Sequence, residues 1–366
     1  MPRYKSYIDA DVLTEARKRI HHIFDAFDSV VVMFSGGKDS LATLHLTDEV
    51  RRERGITKPL DVVFRDEELI PDEVIDFVDG YRRLDWIKMV WFTVPLASTK
   101  YVLGRCHTYT QWDPAREWVR HKPQWGESLP DGDARIFDQY SMDAFTAARY
   151  RGKVAFLTGI RAAESLMRYR ACVNKLNENY INAVSDPKAT NVKLCKPLFD
   201  WEEDDVFRYF YDRNIKYCQL YDLQMWAGKA LRVSTPLHAE NAKRFDLLRS
   251  TTPDFYRRVT AVFPEMLAHE RYFGELDREA LQQRFGQTYE GVRAWIDEFV
   301  EDEKNYELAV KRYDAVMVRA RREPEIYPVR YLLNVFVGGG YKREIVPETA
   351  AVKKRNERRR QNASAA

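Results

Sequence analysis

The stretch Ser35-Gly36-Gly37-Lys38-Asp39-Ser40 constrains this chain more than any other. It follows an apolar run of β type, Val30-Val31-Val32-Met33-Phe34, and precedes a helical pattern in which Leu41, Leu44 and His45 share one side. A strand, a glycine turn and a helix start are what a phosphate site needs. Adjacent glycines let the backbone turn tightly and approach an anion without Cβ clashes. The helix N-terminus offers free N–H groups and the positive end of its dipole. Lys38 adds a mobile positive charge, and Ser35 and Ser40 add hydroxyls. The spacing is not that of a Walker A loop, which has four residues between its first glycine and its Gly-Lys and a Ser or Thr directly after the lysine. Here the glycines are adjacent and Asp39 follows Lys38.

Around this loop the periodicity alternates. Val12, Leu13, Ala16, Ile20, Ile23, Phe24 and Phe27 have helical spacing, so an amphipathic helix over 9–27 leads into the first strand. After the loop a helix runs to about Arg54, with Gly55 at its end. Residues 60–64 read as a second strand, 71–83 as a helix opened by Pro71, and 88–94 as a third strand. Residues 154–158 read as a buried strand ended by Gly159, and 161–171 as a helix. Strands alternating with helices imply an α/β fold, a doubly wound, mostly parallel sheet. Beyond about residue 225 the pattern is helical and rich in charge. The expected division is a nucleotide-binding domain over 1–222 and a mainly helical extension over 223–366.

Residues 104–136 break the alternation and read as an insertion or lid. They carry Trp112, Trp118, Trp125 and His121 beside Arg116, Arg120 and Lys122. Exposed, these aromatics would stack a base or cover a ligand; the other reading is a small satellite core.

With 366 residues, 45% of them hydrophobic, the chain can bury one large domain or two smaller ones. No run of eighteen apolar residues predicts a membrane span. The start, Met1-Pro2-Arg3-Tyr4-Lys5, leads into a polar amphipathic segment rather than a signal-peptide core, so a cytoplasmic protein is expected. The cysteines, Cys106, Cys172, Cys195 and Cys218, form no Cys-x-x-Cys pair, and neither zinc nor an iron–sulfur cluster is expected. Net charge is +3, but residues 342–360 hold eight basic side chains against three acidic ones. Such a run is ordinarily a solvated tail, and it also suits phosphate contacts.

Four segments in order carry a family resemblance. The glycine loop resembles the pyrophosphate loop of the adenine nucleotide alpha-hydrolase superfamily, and its lysine is similar to the branch of phosphoadenosine phosphosulfate (PAPS) reductases. Asp66, followed by Pro71-Asp72-Glu73, matches that branch's acidic residue after the second strand; this chain carries Glu67 where members often have threonine. Gly159-Ile160-Arg161, with Glu164, Ser165 and Arg168, is similar to the family's arginine signature. Pro197-Leu198-Phe199-Asp200-Trp201 and Leu220-Tyr221-Asp222 resemble two later segments, which close the fold more than they do chemistry. The resemblance covers residues 15–222 and implies a HUP-like fold that binds ATP or PAPS. It implies that Ser35, Gly36, Gly37, Lys38, Asp39 and Ser40 hold phosphates, that the backbone around Val63, Phe64 and Arg65 faces the adenine, and that Gly159, Ile160, Arg161 and Arg168 complete the site. In an ATP-using enzyme Mg²⁺ would offset the phosphate charge, with Asp39 or Asp66 as its ligand, directly or through water.

The physical reading adds that Gly159 lets a ligand approach the backbone and that Arg161 supplies a fixed cationic fork. Arg161 and Arg168, seven apart, would share one helix face, with Glu164 as a salt-bridge partner for Arg168. True reductases of the family use a cysteine near the C-terminus, whereas no cysteine here lies beyond Cys218. The expectation is therefore an ATP-using enzyme in which Lys38, Asp39 and Arg161 act at the α-phosphate, releasing pyrophosphate and adenylating an acceptor. Two other readings stand beside it. One is a nucleotide-sensing regulator with a protein or nucleic-acid partner on the C-terminal extension. The other is sulfur modification of nucleic acid, for which Cys195 is the candidate carrier and Gly338-Gly339-Gly340 with Tyr341-Lys342-Arg343 a candidate phosphate clamp or hinge.

Overall fold

The computed structural model describes residues 8–173, 180–184, 186, 189–226, 233–242, 244–272, 278–300 and 302–349. The N-terminal residues 1–7 and the basic stretch 350–360, read above from sequence, lie outside the described residues.

The first half alternates as its periodicity predicts. Helix α1 (Val12–Ala26) opens on Asp11, whose carboxylate accepts the N–H of Thr14 at 2.7 Å. It leads to β1 (Ser29–Met33), α2 (Lys38–Glu53), β2 (Leu60–Arg65), α3 (Asp72–Arg82) and β3 (Ile87–Phe92). A hairpin of β4 (Leu96–Val102) and β5 (Arg105–Gln111) follows, then α4 (Gln139–Ala147), β6 (Val154–Leu157), α5 (Leu166–Val173), β7 (Ile181–Ala183), β8 (Val192–Cys195), α6 (Glu203–Arg213) and α7 (Leu220–Trp226).

Six strands form one sheet in the order β3-β2-β1-β6-β8-β7, parallel throughout except for β7, which runs antiparallel to β8. Val32 pairs with Val62 on one side and Leu157 on the other. Successive side chains alternate between the faces. Val32, Phe34, Val62, Phe64, Ala155 and Leu157 pack with residues of α1, α2, α3 and α6. Val31, Val63, Val154, Phe156 and Val192 pack with Met142 and Ala147 of α4. Both faces are thus covered, which is why these strands read as unbroken apolar runs rather than alternating ones.

The chain builds outward from β1 through β2 to β3, then returns to lay β6 against the other side of β1. This reversal places the carboxyl ends of β1 and β6 side by side, the position where open α/β sheets bind ligands.

The fold divides into two compact units. The first takes in residues 8–98, 109–236 and 247–262 of the described chain, and the second residues 99–108, 237–246 and 263–349. The second unit has its own core, in which Val292, Trp295, Ile296, Val316, Leu332, Leu333 and Phe336 meet on helices Tyr289–Phe299, Glu303–Ala320 and Val329–Val337. The triple glycine there is a helix terminus rather than a hinge or clamp. The Gly338 N–H donates to the Asn334 carbonyl at 3.0 Å, Gly339 has φ of 72°, and Tyr341 is buried. Among the described residues no helix is long and apolar enough to cross a membrane.

Candidate functional site

The glycine loop leaves β1 at Phe34, whose N–H donates to the Val63 carbonyl at 2.9 Å. Gly36 turns the chain at φ of 75°, and a Cβ there would meet Val74 and Val78 of α3 at 2.8 Å. Gly36 is therefore required by the turn and by packing, and it does not line the cleft described below. The loop satisfies its own amides. Ser35 N–H donates to the Ser40 hydroxyl at 3.1 Å, Gly37 N–H to the Ser35 hydroxyl at 3.4 Å, and Lys38 N–H to the Tyr221 hydroxyl at 2.9 Å. The expectation of freely offered N–H groups is thus corrected at three positions, where rotatable hydroxyls occupy the donors.

The side chains form a compact charge cluster. Lys38 Nζ lies 3.1 Å from Glu203 Oε1 and 3.4 Å from Asp39 Oδ2, above the Tyr221 ring. Arg161 donates through Nε to Asp39 Oδ1 at 2.6 Å and through Nη1 to the Trp201 carbonyl at 3.4 Å. Both cations are buried. The N-cap of α2 is Gly37, which brings no side chain of its own, and the dipole of the helix reinforces the positive side chains. Asp39 and Arg161, 122 residues apart in sequence, thus meet beside Lys38 just beyond the ends of β1 and β6.

Gly159 has a different role from the one expected. A Cβ at this position would fall deep inside contact with the Asp39 carbonyl group and the Ser40 nitrogen. The close approach that requires glycine is between β6 and the loop itself. Arg161 and Arg168 do not share a helix. Arg161 has extended backbone ahead of a short 3₁₀ turn at Ala162–Glu164, and Arg168 lies in α5. Both still line the cleft, and Arg168 pairs with Glu164.

The cleft measures about 630 Å³. Ser35, Gly37, Lys38, Asp39 and Ser40 line it from the loop; Thr158, Gly159, Ile160 and Arg161 from the end of β6; and Glu202, Glu203 and Tyr221 from α6 and α7. Phe64, Arg65, Glu67 and Ile70 line it from the end of β2. The Val63 side chain does not; it is buried in the core on the other face of the sheet, so that residue could meet a ligand only through its backbone.

Asp66 is the clearest correction. It does not face the cleft. Its carboxylate accepts Trp91 Nε1 at 2.9 Å and the Glu68 N–H at 3.0 Å, and pairs with Arg120. Burial pushes its pKa up against the pull of Arg120 and these donors. Of the two candidate Mg²⁺ ligands, Asp39 lines the cleft and Asp66 does not. Glu68 points the same way as Asp66. Its fully buried carboxylate accepts two bonds from Arg116 at 2.6 and 2.7 Å and the N–H groups of Trp112 and Val119 at 2.5 and 3.0 Å. Trp112 Nε1 donates to the Asp66 carbonyl at 2.6 Å. Residues 112–120 are thus a satellite core built on two buried acids, with Trp112 wholly enclosed. None of Trp112, Trp118 and Trp125 lines the cleft.

Glu67, between those two acids, turns the opposite way and enters the cleft, where burial and the charge of Asp66 push its pKa up to about 7, against the pull of Arg65. Arg65 donates through Nη2 to Asp143 at 2.7 Å, and its Nε has no partner. Sequence reasoning missed Glu67, Glu203 and Tyr221 as site residues. Glu203 stands in an acidic run with nothing to single it out, but the departure from threonine at Glu67 and the Leu220-Tyr221-Asp222 segment were usable signals.

All four cysteines are free thiols. Cys195 is fully buried, with its thiol pushed up to about 12 by burial, and it does not line the cleft, which does not suit a sulfur carrier. Among the described residues no group of three or more His, Cys, Asp or Glu could hold a metal ion.

The switch point, the glycine loop and its buried cations define an α/β protein of nucleotide-binding architecture. Residues 29–259 match the phosphoadenosine phosphosulfate reductase domain, and the chain belongs to that family. The Escherichia coli (strain K12) protein YbdN, itself uncharacterised, is 28% identical over 279 residues, covering 71% of this chain and 67% of that protein. An adenosine 5'-phosphosulfate reductase of Staphylococcus epidermidis is 29% identical over 93 residues, 25% of this chain and 34% of the enzyme. The chain thus spans only about a third of that curated relative. Among solved structures, the Candida glabrata FMN adenylyltransferase superposes with a TM-score of 0.39 at 14% identity, covering 60% of this chain and 62% of that one.

Proposed function

We propose that the cleft binds ATP as its Mg²⁺ complex and that the chain cleaves it between the α- and β-phosphates, passing the adenylyl group to an acceptor. The observation that carries this reading is the convergence of Lys38, Asp39 and Arg161 at the β1–β6 switch point. The Ser35 and Ser40 hydroxyls rotate to donate to the β- and γ-phosphates, and the N-terminal end of α2 faces the same charge. Lys38 and Arg161 exchange their carboxylate partners for phosphate oxygens and stabilise charge that develops at the α-phosphorus. Acceptor attack forms the bond to that phosphorus as the bond to the bridging oxygen breaks, and pyrophosphate leaves. Of the two aspartates expected to hold Mg²⁺, only Asp39 faces the cleft, and one carboxylate plus phosphate oxygens suits the ion, which neutralises phosphate charge.

Reductase chemistry is not part of this proposal: Cys172, Cys195 and Cys218 are buried, Cys106 is partly exposed, and none of the four lines the cleft. The four free thiols suit a reducing compartment, and we place the protein in the cytoplasm. The charge of residues 342–360 supports a second reading, a nucleic-acid or protein partner on the C-terminal extension. Calorimetric titration with Mg-ATP and with PAPS, followed by product analysis, tests the proposal. Tighter binding of Mg-ATP with AMP and pyrophosphate as products is expected. ADP and phosphate as products, or thioredoxin-dependent release of sulfite from PAPS, would overturn it.

A further inference from the structure

The cleft has two chemically different ends. At the β1–β6 end every charged side chain described above is matched. Lys38 lies against Asp39 and Glu203, Arg161 against Asp39, and Arg168 against Glu164. At the β2 end the lining is Phe64, Ile70, Arg65 and Glu67. Asp143 already offsets Arg65, while the Glu67 carboxylate makes no hydrogen bond or ion pair with any described residue. Its neighbours Asp66 and Glu68 are both consumed by Arg120 and Arg116. The β2 end therefore carries one carboxyl group without a hydrogen-bond or ion-pair partner among the described residues, beside apolar walls and ionised above about pH 7.

Phosphates belong at the cationic end, so a nucleotide laid across the cleft presents its nucleoside to the β2 end. An unpaired carboxylate there accepts hydrogen bonds from ribose hydroxyls or a base amino group. The same charge repels any further phosphate on the sugar. We infer that Glu67 is a specificity residue that admits adenosine 5'-nucleotides with a free 3'-hydroxyl and excludes their 3'-phosphorylated counterparts. This rests on the reading of the cleft as an adenine-nucleotide site and concerns binding alone, so it does not depend on which bond is cleaved.

The test uses the full chain and two probes that differ only at the 3'-position, adenosine 5'-monophosphate and adenosine 3',5'-bisphosphate, titrated at pH 8. The wild type should prefer the monophosphate by about tenfold or more. Glu67→Gln keeps the shape and removes the charge, and should bring the ratio to within about twofold of unity. Asp143→Asn releases Arg65 from its partner, and should move the ratio toward the bisphosphate with Glu67 intact. Preference for the bisphosphate in the wild type, or a ratio unchanged in Glu67→Gln, overturns the inference while leaving the nucleotide site standing. Failure of both probes and of Mg-ATP to bind the folded wild type overturns the nucleotide reading itself.

Discussion

The loop after β1 and the turn after β2 end neighbouring parallel strands, yet they handle charge in opposite ways. The β1 loop gathers Lys38 and Asp39 with Arg161 and Glu203 and leaves them facing the cleft. The β2 turn carries three consecutive acids and gives two of them away from the cleft, to Arg116 and Arg120. Glu68, held at φ of 57°, lets Asp66 and Glu68 point together into the satellite core while Glu67 stays on the cleft side. The meaning of the first segment is carried by contiguous residues. The meaning of the second is set by a segment some fifty residues away.

The sharpest way to break this contrast is Glu68→Ala. It removes the carboxylate partner of Arg116 and strands the buried N–H groups of Trp112 and Val119, and should cost about 3 kcal/mol of stability. A denaturant midpoint unchanged from wild type would mean that the acids are not what holds residues 112–120. Lys38→Ala probes the other side of the comparison. It should weaken Mg-ATP binding about 100-fold, or about 2.7 kcal/mol, with little change in the melting temperature because Arg161 still holds Asp39. Calorimetry on the variant decides this, and undiminished affinity would remove the loop from the site.

Glu67→Gln sharpens the contrast through pH. The folded state raises this pKa from 4.5 to about 7, so it binds more protons than the unfolded chain between those values. Wild-type stability attributable to Glu67 is full below about pH 4.5 and is lost as pH rises through about 7. The variant should match the wild type near pH 4.5 and exceed it by on the order of 2 kcal/mol at pH 8, after discounting for water in the cleft. Equal melting curves at both pH values would show that the carboxyl is not held near neutrality. The smallest effect belongs to Arg168→Ala. Its pair with Glu164 is 42% exposed on the arginine side, so stability should change by less than about 1 kcal/mol. A several-fold loss of Mg-ATP affinity would assign Arg168 to the anion end, and an unchanged affinity would leave it a surface pair.

Much of the fold was legible. Helix α1, the strands β1, β2, β3 and β6, and helices α2 and α3 fall within a few residues of their periodicity, because each buries a face whose spacing is local. Arg161 could be read as a site residue because it follows a buried strand and a glycine, and it does reach the loop. Less was legible in the arginine region, where an expected single helix is a 3₁₀ turn followed by α5. Ala162 N–H donates to the Phe199 carbonyl at 2.7 Å, a long-range bond that no local pattern announces. Trp201 could be placed in the core from its type alone. Tyr221 could not be placed against the Lys38 N–H, 183 residues away.

What the sequence determined by itself is the alternation of strands and helices, the glycine loop at the end of β1, and the chemistry gathered there. These depend on neighbours within a few residues, and on conformations that only certain residues adopt. What only the tertiary structure decided is which charges remain available. Asp66, Glu67 and Glu68 are interchangeable as a string of acids. They became a buried clamp and one cleft carboxylate only when Arg116 and Arg120 folded onto them, because burying a carboxylate requires a partner and the partners come from a distant segment.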